Sequence, residues 1–231
     1  MFARTVPIRS LTSKYTTRAL FSPEIAVTSA RKNIAASSVG MQKISDSIKT
    51  DHREIEGWYD KIINPTNEDE QVRAQNQFVW ELARHSIGEE LVVYPALEKH
   101  VEGGKQLAER DRQEHQVVKE MLKKFQDMKP SEPNYISTIK NLMDNLSQHI
   151  KEEESEDLVK LEQALDQADS ESLANSFHRT KAFVPTRSHP SAPSKPPFET
   201  AVGLMTAPID HLMDLFRKFP DQKISPNPST K

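Results

Sequence analysis

The chain has 231 residues, 35% of them hydrophobic and 28% charged, with a formal net charge of −3 and no cysteine. That length allows one core of ordinary size plus tails, and the lack of cysteine excludes disulfides, zinc ribbons, thiolate nucleophiles and iron–sulfur ligation. No apolar run approaches the roughly 18 residues a membrane span needs.

Residues 1–40 differ in kind from the rest. Four Arg and two Lys stand against one acid, Glu24, among many Ser and Thr, which makes the segment +5 and, with the whole chain at −3, leaves residues 41–231 at −8. Arg-rich, Ser-rich and acid-poor predicts a disordered mitochondrial presequence, and so a mitochondrial, matrix location. The acidic body argues against nucleic acid as a partner.

Four helices follow. Residues 43–64 carry Ile44, Ile48, Ile55 and Ile62 at helical spacing, with His52 on the same stripe and Pro65 as the stop. The second helix is expected over about 68–101, with the seam Phe78, Leu82, His85, Glu89, Val92, Ala96 and a kink at Pro95, before Gly103 and Gly104. The third, about 105–129, has the seam Leu107, Asp111, His115, Val118, Leu122, Phe125, and "KPSEP" ends it. The fourth, about 134–167, reads Ile139, Leu142, Leu146, His149, Glu153, Leu161. Long helices and short Pro- or Gly-marked joints predict an all-α fold, an antiparallel up-down-up-down four-helix bundle over 43–167.

Each seam carries imidazole, and two of them carry a matched carboxylate one turn on. His85–Glu89 and His149–Glu153 are i, i+4 pairs that point the same way. His52 and His115 add one arm each, and all six lie near mid-helix, where antiparallel neighbours meet at one level. Burying such groups unpartnered costs on the order of several kcal/mol each, so the layer calls for compensating charge. Two metal cations supply it; a hydrogen-bonded network is the alternative. Imidazole with carboxylate suits Fe, Mn or Zn.

"TDHREI" (50–55), "HSIGEELVVYPAL" (85–97), "EH" (114–115) and "HIKEEE" (149–154) resemble the hemerythrin-like, or HHE cation-binding, domain over about 43–167. The resemblance implies a non-haem di-iron centre with an oxo or hydroxo bridge. In it His52 and His85 would ligate one iron, His115 and His149 the other, and Glu89 and Glu153 would bridge them. One turn either side of His115 stand Asp111 and Lys119, where oxygen-carrying members place a further histidine. Reversible oxygen transport is therefore in doubt. Asp111 and Glu114 are candidate extra ligands, and Glu90, Glu152 and Glu154 neighbour the bridging pair. The reading favoured for these carboxylates is a solvated acidic face.

Residues 168–231 form a proline-rich extension. His178 and His189 lie off any seam, and His100 suits a helix C-terminus. Residues 208–219 predict a short helix opened by Pro208, with an apolar face of Ile209, Leu212, Met213 and Phe216 that packs back on the bundle or touches a membrane surface or partner. The chain so read is a monomer or weak homo-oligomer that senses or handles iron, oxygen or nitric oxide. The alternatives are a di-iron oxidoreductase acting on peroxide or nitric oxide, or supporting iron–sulfur cluster repair, and a structural, partner-binding bundle with an incidental metal site. No general base or substrate pocket is evident, so binding of a small diatomic or peroxide ligand outranks turnover.

Overall fold

A stripe of four isoleucines specifies the first helix, and all four are fully buried along α1, Ile44–Ile63. A computed structural model describes residues 42–195 and 198–221, and the side chains of these except 198–204. The basic segment 1–40, read above as a presequence, lies outside the described residues. The elements are α1, α2 (Glu68–Gly88), α3 (Tyr94–His100), α4 (Gly104–Phe125), α5 (Tyr135–Glu152), α6 (Leu158–Ala164), α7 (Gln167–Lys181) and α8 (Phe198–Asp214). No strand occurs among the described residues. No described helix is long and apolar enough to cross a membrane.

The ends of the rods are set by local chemistry. Asn67 accepts from the Glu70 amide at 2.8 Å, and the Glu70 carboxylate accepts from the Thr66 amide at 2.9 Å, so orphan donors at the start of α2 are met reciprocally. Lys43 gives α1 no side-chain cap. Its first amides bond instead to Ser170 Oγ of α7 at 3.0 Å and to Glu162 of α6 at 3.1 Å. Gly103 turns the chain into α4 at φ 73°, where any side chain would be strained.

Two π turns interrupt otherwise continuous rods, Glu89–Val93 between α2 and α3 and Glu153–Asp157 between α5 and α6. In each, a backbone N–H reaches back five residues, Tyr94 to Glu89 O and Leu158 to Glu153 O. A plain α-helix would carry the seam from Glu89 to Val92 and Ala96. The wide turn delays it by one residue, so Val93 and Leu97 are fully buried while Val92 is half-buried. The kink expected at Pro95 is thus a widened turn just before it, with Pro95 in the first turn of α3, where its missing N–H matters least.

α1 packs on α2 and α5, α4 on α3 and α5, and α7 lies across α1 and α2. Most of the buried apolar side chains among the described residues fall into two clusters. One includes Ile55, Phe78, Leu82, Phe125, Tyr135 and Leu146. The other includes Ile44, Ile48, Val93, Tyr94, Leu158 and Phe177. On every rod the histidines stand between a member of the first cluster and a member of the second, so the polar layer divides the core.

Two stretches depart from the sequence reading. Residues 167–181 form α7, within a segment read as polar and then proline-rich; α7 opens on Asp166, which accepts from the Asp169 amide at 2.8 Å. The C-terminal helix begins at Phe198 rather than at Pro208, which lies inside it, and ends at Asp214. Its apolar face does not pack back on the bundle: Ile209, Leu212, Met213 and Phe216 are exposed. The inward contacts are Ala207 and Asp210, and Asp210 accepts from His189 at 2.9 Å and from the Arg187 amide at 3.2 Å.

Candidate metal centre

His52 on α1, His85 on α2, His115 on α4 and His149 on α5 are all 0–1% exposed, and Glu89 and Glu153 are 0% exposed at the first residues of the two π turns. The structure brings all six candidate ligands together. His85 Nε2 lies 3.1 Å from Glu89 Oε1, and His115 Nε2 lies 3.3 Å from Glu89 Oε2, so one carboxylate spans both halves of the layer. Glu153 Oε2 is 3.3 Å from His52 Nε2. His115 and His149 approach Nε2 to Nε2 at 3.1 Å.

The Nδ1 atoms face the other way, each toward a carboxylate. His52 meets Glu154 at 2.8 Å, His85 meets Asp51 at 3.3 Å, His115 meets Glu90 at 3.2 Å, and His149 meets Glu114 at 2.7 Å. A cation backs each carboxylate in turn: Arg53 on Glu154, Lys181 on Asp51, Lys119 on Glu90 at 2.5 Å, and Arg110 near Glu114 at 3.9 Å. A carboxylate at Nδ1 fixes the ring and its tautomer and raises the basicity of Nε2, the arrangement that orients metal-bound imidazole. The expectation of a solvated acidic face therefore fails for Glu90, which is fully buried, and for Glu114 and Glu154, which hold histidines. Glu152 instead bonds Gln148 on the outer surface.

Six of the inward atoms lack hydrogen-bond partners. His52 Nε2, His85 Nε2 and both carboxylate oxygens of Glu89 and of Glu153 are buried with no hydrogen bond. Leaving that many buried polar atoms unsatisfied is costly, and they converge. Among the described residues, three sets of donor atoms lie close enough together to share a cation: His52, His85 and Glu89; Glu89, His115 and His149; Asp111, Glu114 and His149. The donor set is imidazole and carboxylate, which fits iron, manganese or zinc.

The electrostatics are those of a layer holding protons where a cation would displace them. Burial alone would lower the His85 pKa, but Glu89 and Asp51 outweigh it and push the imidazole up to about 10. Burial likewise opposes protonation of His115, yet Glu89 and Glu90 push it up to about 9. Burial, then the charges of Asp157 and Glu153, push Asp111 up to about 8. Burial also pushes Asp157 up to about 6, against the pull of Arg110. Tyr94 sends its hydroxyl to His115 Nε2 at 2.9 Å.

Asp51, Tyr94 and Lys181 are participants that the seam reading misses. Asp51 precedes His52 in sequence but serves His85 on the neighbouring helix, so only packing reveals its role. The remaining histidines lie apart: His178 contacts Ser47 at 3.1 Å, His189 contacts Asp210, His100 ends α3 and His211 is exposed.

The profile of the hemerythrin HHE cation-binding domain matches residues 43–161. An uncharacterized hemerythrin-like protein of Schizosaccharomyces pombe is 55% identical over 184 residues, covering 79% of this chain and 91% of that relative. The chain belongs to the hemerythrin family. No solved structure matches the chain. As a hemerythrin-family domain it is a cation-binding helical bundle, and its His and Glu groups are the ones that could hold the metal.

Proposed function

We propose that this hemerythrin-family chain holds two iron ions in its polar layer and senses or handles iron, oxygen or nitric oxide in mitochondria. His52 and His85 would hold one ion and His115 and His149 the other, with Glu89 and Glu153 as the shared carboxylates, within an antiparallel up-down-up-down four-helix frame. The observation that carries this reading is the convergence of six buried, unpartnered atoms of His52, His85, Glu89 and Glu153, with four imidazoles each oriented by a carboxylate. Bound iron would supply reversible one-electron chemistry and an affinity for small diatomic ligands or peroxide. The protein's part is to fix the ligands, exclude water and hold protons at Asp111 and Tyr94 beside the centre.

One observation favours a second reading, an oxidoreductase acting on peroxide or nitric oxide. Asp111 is buried with its Oδ2 unpartnered, one turn from His115, where oxygen carriers keep a histidine. A protonated carboxyl at that position can deliver a proton to a reduced ligand, which a carrier does not need.

The deciding measurement is metal content of the full chain purified with iron supplied, read beside its near-ultraviolet and visible absorption. The expectation is about two irons per folded chain, with loss of metal and bands in His52→Ala and Glu89→Ala. A folded protein that takes up zinc or manganese in preference to iron, or no metal, overturns the iron reading. Turnover of peroxide or nitric oxide by the reduced protein separates oxidoreductase from sensor. The mitochondrial placement is tested by fusing residues 1–40 to a fluorescent reporter; a cytosolic signal would defeat it.

A further inference from the structure

α7 lies beyond the residues matched by the family profile, yet it reaches the His85 side of the polar layer. Its buried stripe contains Ser170, Ala174, Phe177 and Lys181 at helical spacing. Phe177 stands edge-on to His85 with ring centroids 6.1 Å apart. The same ring covers Gly88, where an added Cβ would meet it at 2.7 Å, so glycine is what lets α7 close over the start of the π turn that carries Glu89. Lys181, itself 6% exposed, pairs with Asp51, and Asp51 holds His85 Nδ1. Arg84 of α2 donates to the Lys181 carbonyl at 2.6 Å and fixes the end of the helix.

The other three carboxylates are backed from within the bundle: Glu154 by Arg53 of α1, and Glu90 and Glu114 by Lys119 and Arg110 of α4. Only the His85 arm takes its cation from outside the four long rods. Without Lys181, the buried Asp51 would keep only the imidazole of His85 as its partner, and a carboxylate short of counter-charge swings or draws in water rather than staying on the ring.

We propose that Lys181 is a positioning residue for His85, and that α7 docking and cation binding at the His52/His85 half of the centre stabilise one another. The inference rests on the metal-holding reading above. Coupling of this kind is reciprocal: what α7 contributes to metal affinity, metal returns to the docking of α7. The C-terminal segment of the chain thereby reports occupancy of one half of the centre.

The test uses the full chain loaded with ferrous iron, with affinity read by chelator competition, the absorption spectrum recorded alongside, and amide exchange of residues 167–181 followed with and without iron. Lys181→Met is expected to weaken one of the two irons by about 10–100-fold while the other stays bound. Lys181→Arg is expected to restore it, and α7 amides should exchange more slowly when iron is present. If circular dichroism shows Lys181→Met to be misfolded, Phe177→Leu, which loosens α7 and keeps the lysine, should give the same selective loss. The proposal is overturned if the folded variants bind both irons with unchanged affinity and spectrum, or if α7 exchange ignores iron in the wild-type chain. A wild-type chain that binds no iron overturns the functional reading itself, a result distinguishable from either of those.

Discussion

The same rods that build the apolar cluster around Phe78 and Phe125 also build the polar layer beside it, and the two regions are held by opposite means. In the first, Ile55, Phe78, Leu82, Leu122, Phe125 and Leu146 are 0–1% exposed and need nothing beyond one another. Phe78 and Phe125 meet edge to face with centroids 6.3 Å apart. In the second, equally buried residues carry charges, and the inward atoms of His52, His85, Glu89 and Glu153 have no hydrogen-bond partner. Burial by itself therefore says little about what stabilises a site: one region gains from excluding water, and the other needs a cation in place of it.

The sharpest way to break this comparison is to remove packing where there is only packing. Phe78→Ala should cost about 3–5 kcal/mol in denaturant unfolding while metal bound per folded chain stays unchanged. If that variant loses metal with little loss of stability, the two regions are not held by separate means.

The next effect belongs to the layer alone and is a matter of pH. In protein stripped of metal by chelator, Asp111 holds its proton up to about 8 and Asp157 up to about 6, whereas unfolded aspartates lose theirs near 3.8. His85 and His115, raised to about 10 and about 9, hold protons that the unfolded chain releases near 6.5. All four groups bind more protons folded than unfolded, so stability must fall as pH rises across the range from about 4 to about 10. The carboxylates held low, Glu89 and Asp51 among them, act oppositely and lose their contribution only as pH drops below the ordinary carboxylate range. The expected result is a melting temperature that declines from roughly pH 5.5 to roughly 8.5. Asp111→Asn should flatten that decline, reducing the loss of unfolding free energy across the range by on the order of 2 kcal/mol. Phe78→Ala should lower the whole curve without flattening it.

Gly88→Ala probes the boundary between layer and packing. The new Cβ must displace the Phe177 ring, and overpacking of this kind costs about 1–3 kcal/mol. Unlike Phe78→Ala, it should also weaken metal binding, because the ring it moves stands against His85. Calorimetry and metal analysis on the same sample check both halves of that expectation.

Much of this arrangement is legible in the sequence, for a physical reason. A histidine on an otherwise apolar seam contradicts the hydrophobic pattern, and that contradiction, repeated on four helices and joined on two of them by a glutamate one turn on, marks a site. The π turns are not legible, because hydrophobic periodicity assumes a constant 3.6-residue turn; Val92 and Val93 are equally apolar, and only the backbone decides which one faces inward. The oriented carboxylates escape for a related reason. "EEE" and "DH" look like charged surface until neighbouring helices show that Asp51, Glu90, Glu114 and Glu154 each face an imidazole. α7 escapes because its stripe is short on large apolar side chains: Leu173 and Phe177 stand among Ser170, Glu171, Ala174 and Lys181.

The smallest expected effect tests the stretch where apolar pattern and burial disagree. On α8 and just past its end, Ile209 is 64% exposed, Leu212 58% and Phe216 80%. Had this face packed on the bundle, truncating Phe216 would cost about 3–5 kcal/mol, as at Phe78. What anchors the region is polar: Asp210 to His189 and the Arg187 amide, Arg73 to the Phe219 carbonyl at 2.7 Å, and Asn76 to the Lys218 carbonyl at 3.0 Å. Phe216→Ser should therefore change unfolding free energy by no more than about 0.5 kcal/mol. Asp210→Ala, which leaves His189 and a buried amide without their acceptor, should cost about 1–3 kcal/mol. An inverted order of those two variants in the same denaturant titration would mean that the apolar face is covered in the folded protein after all, and that the sequence pattern, not the exposure, describes it.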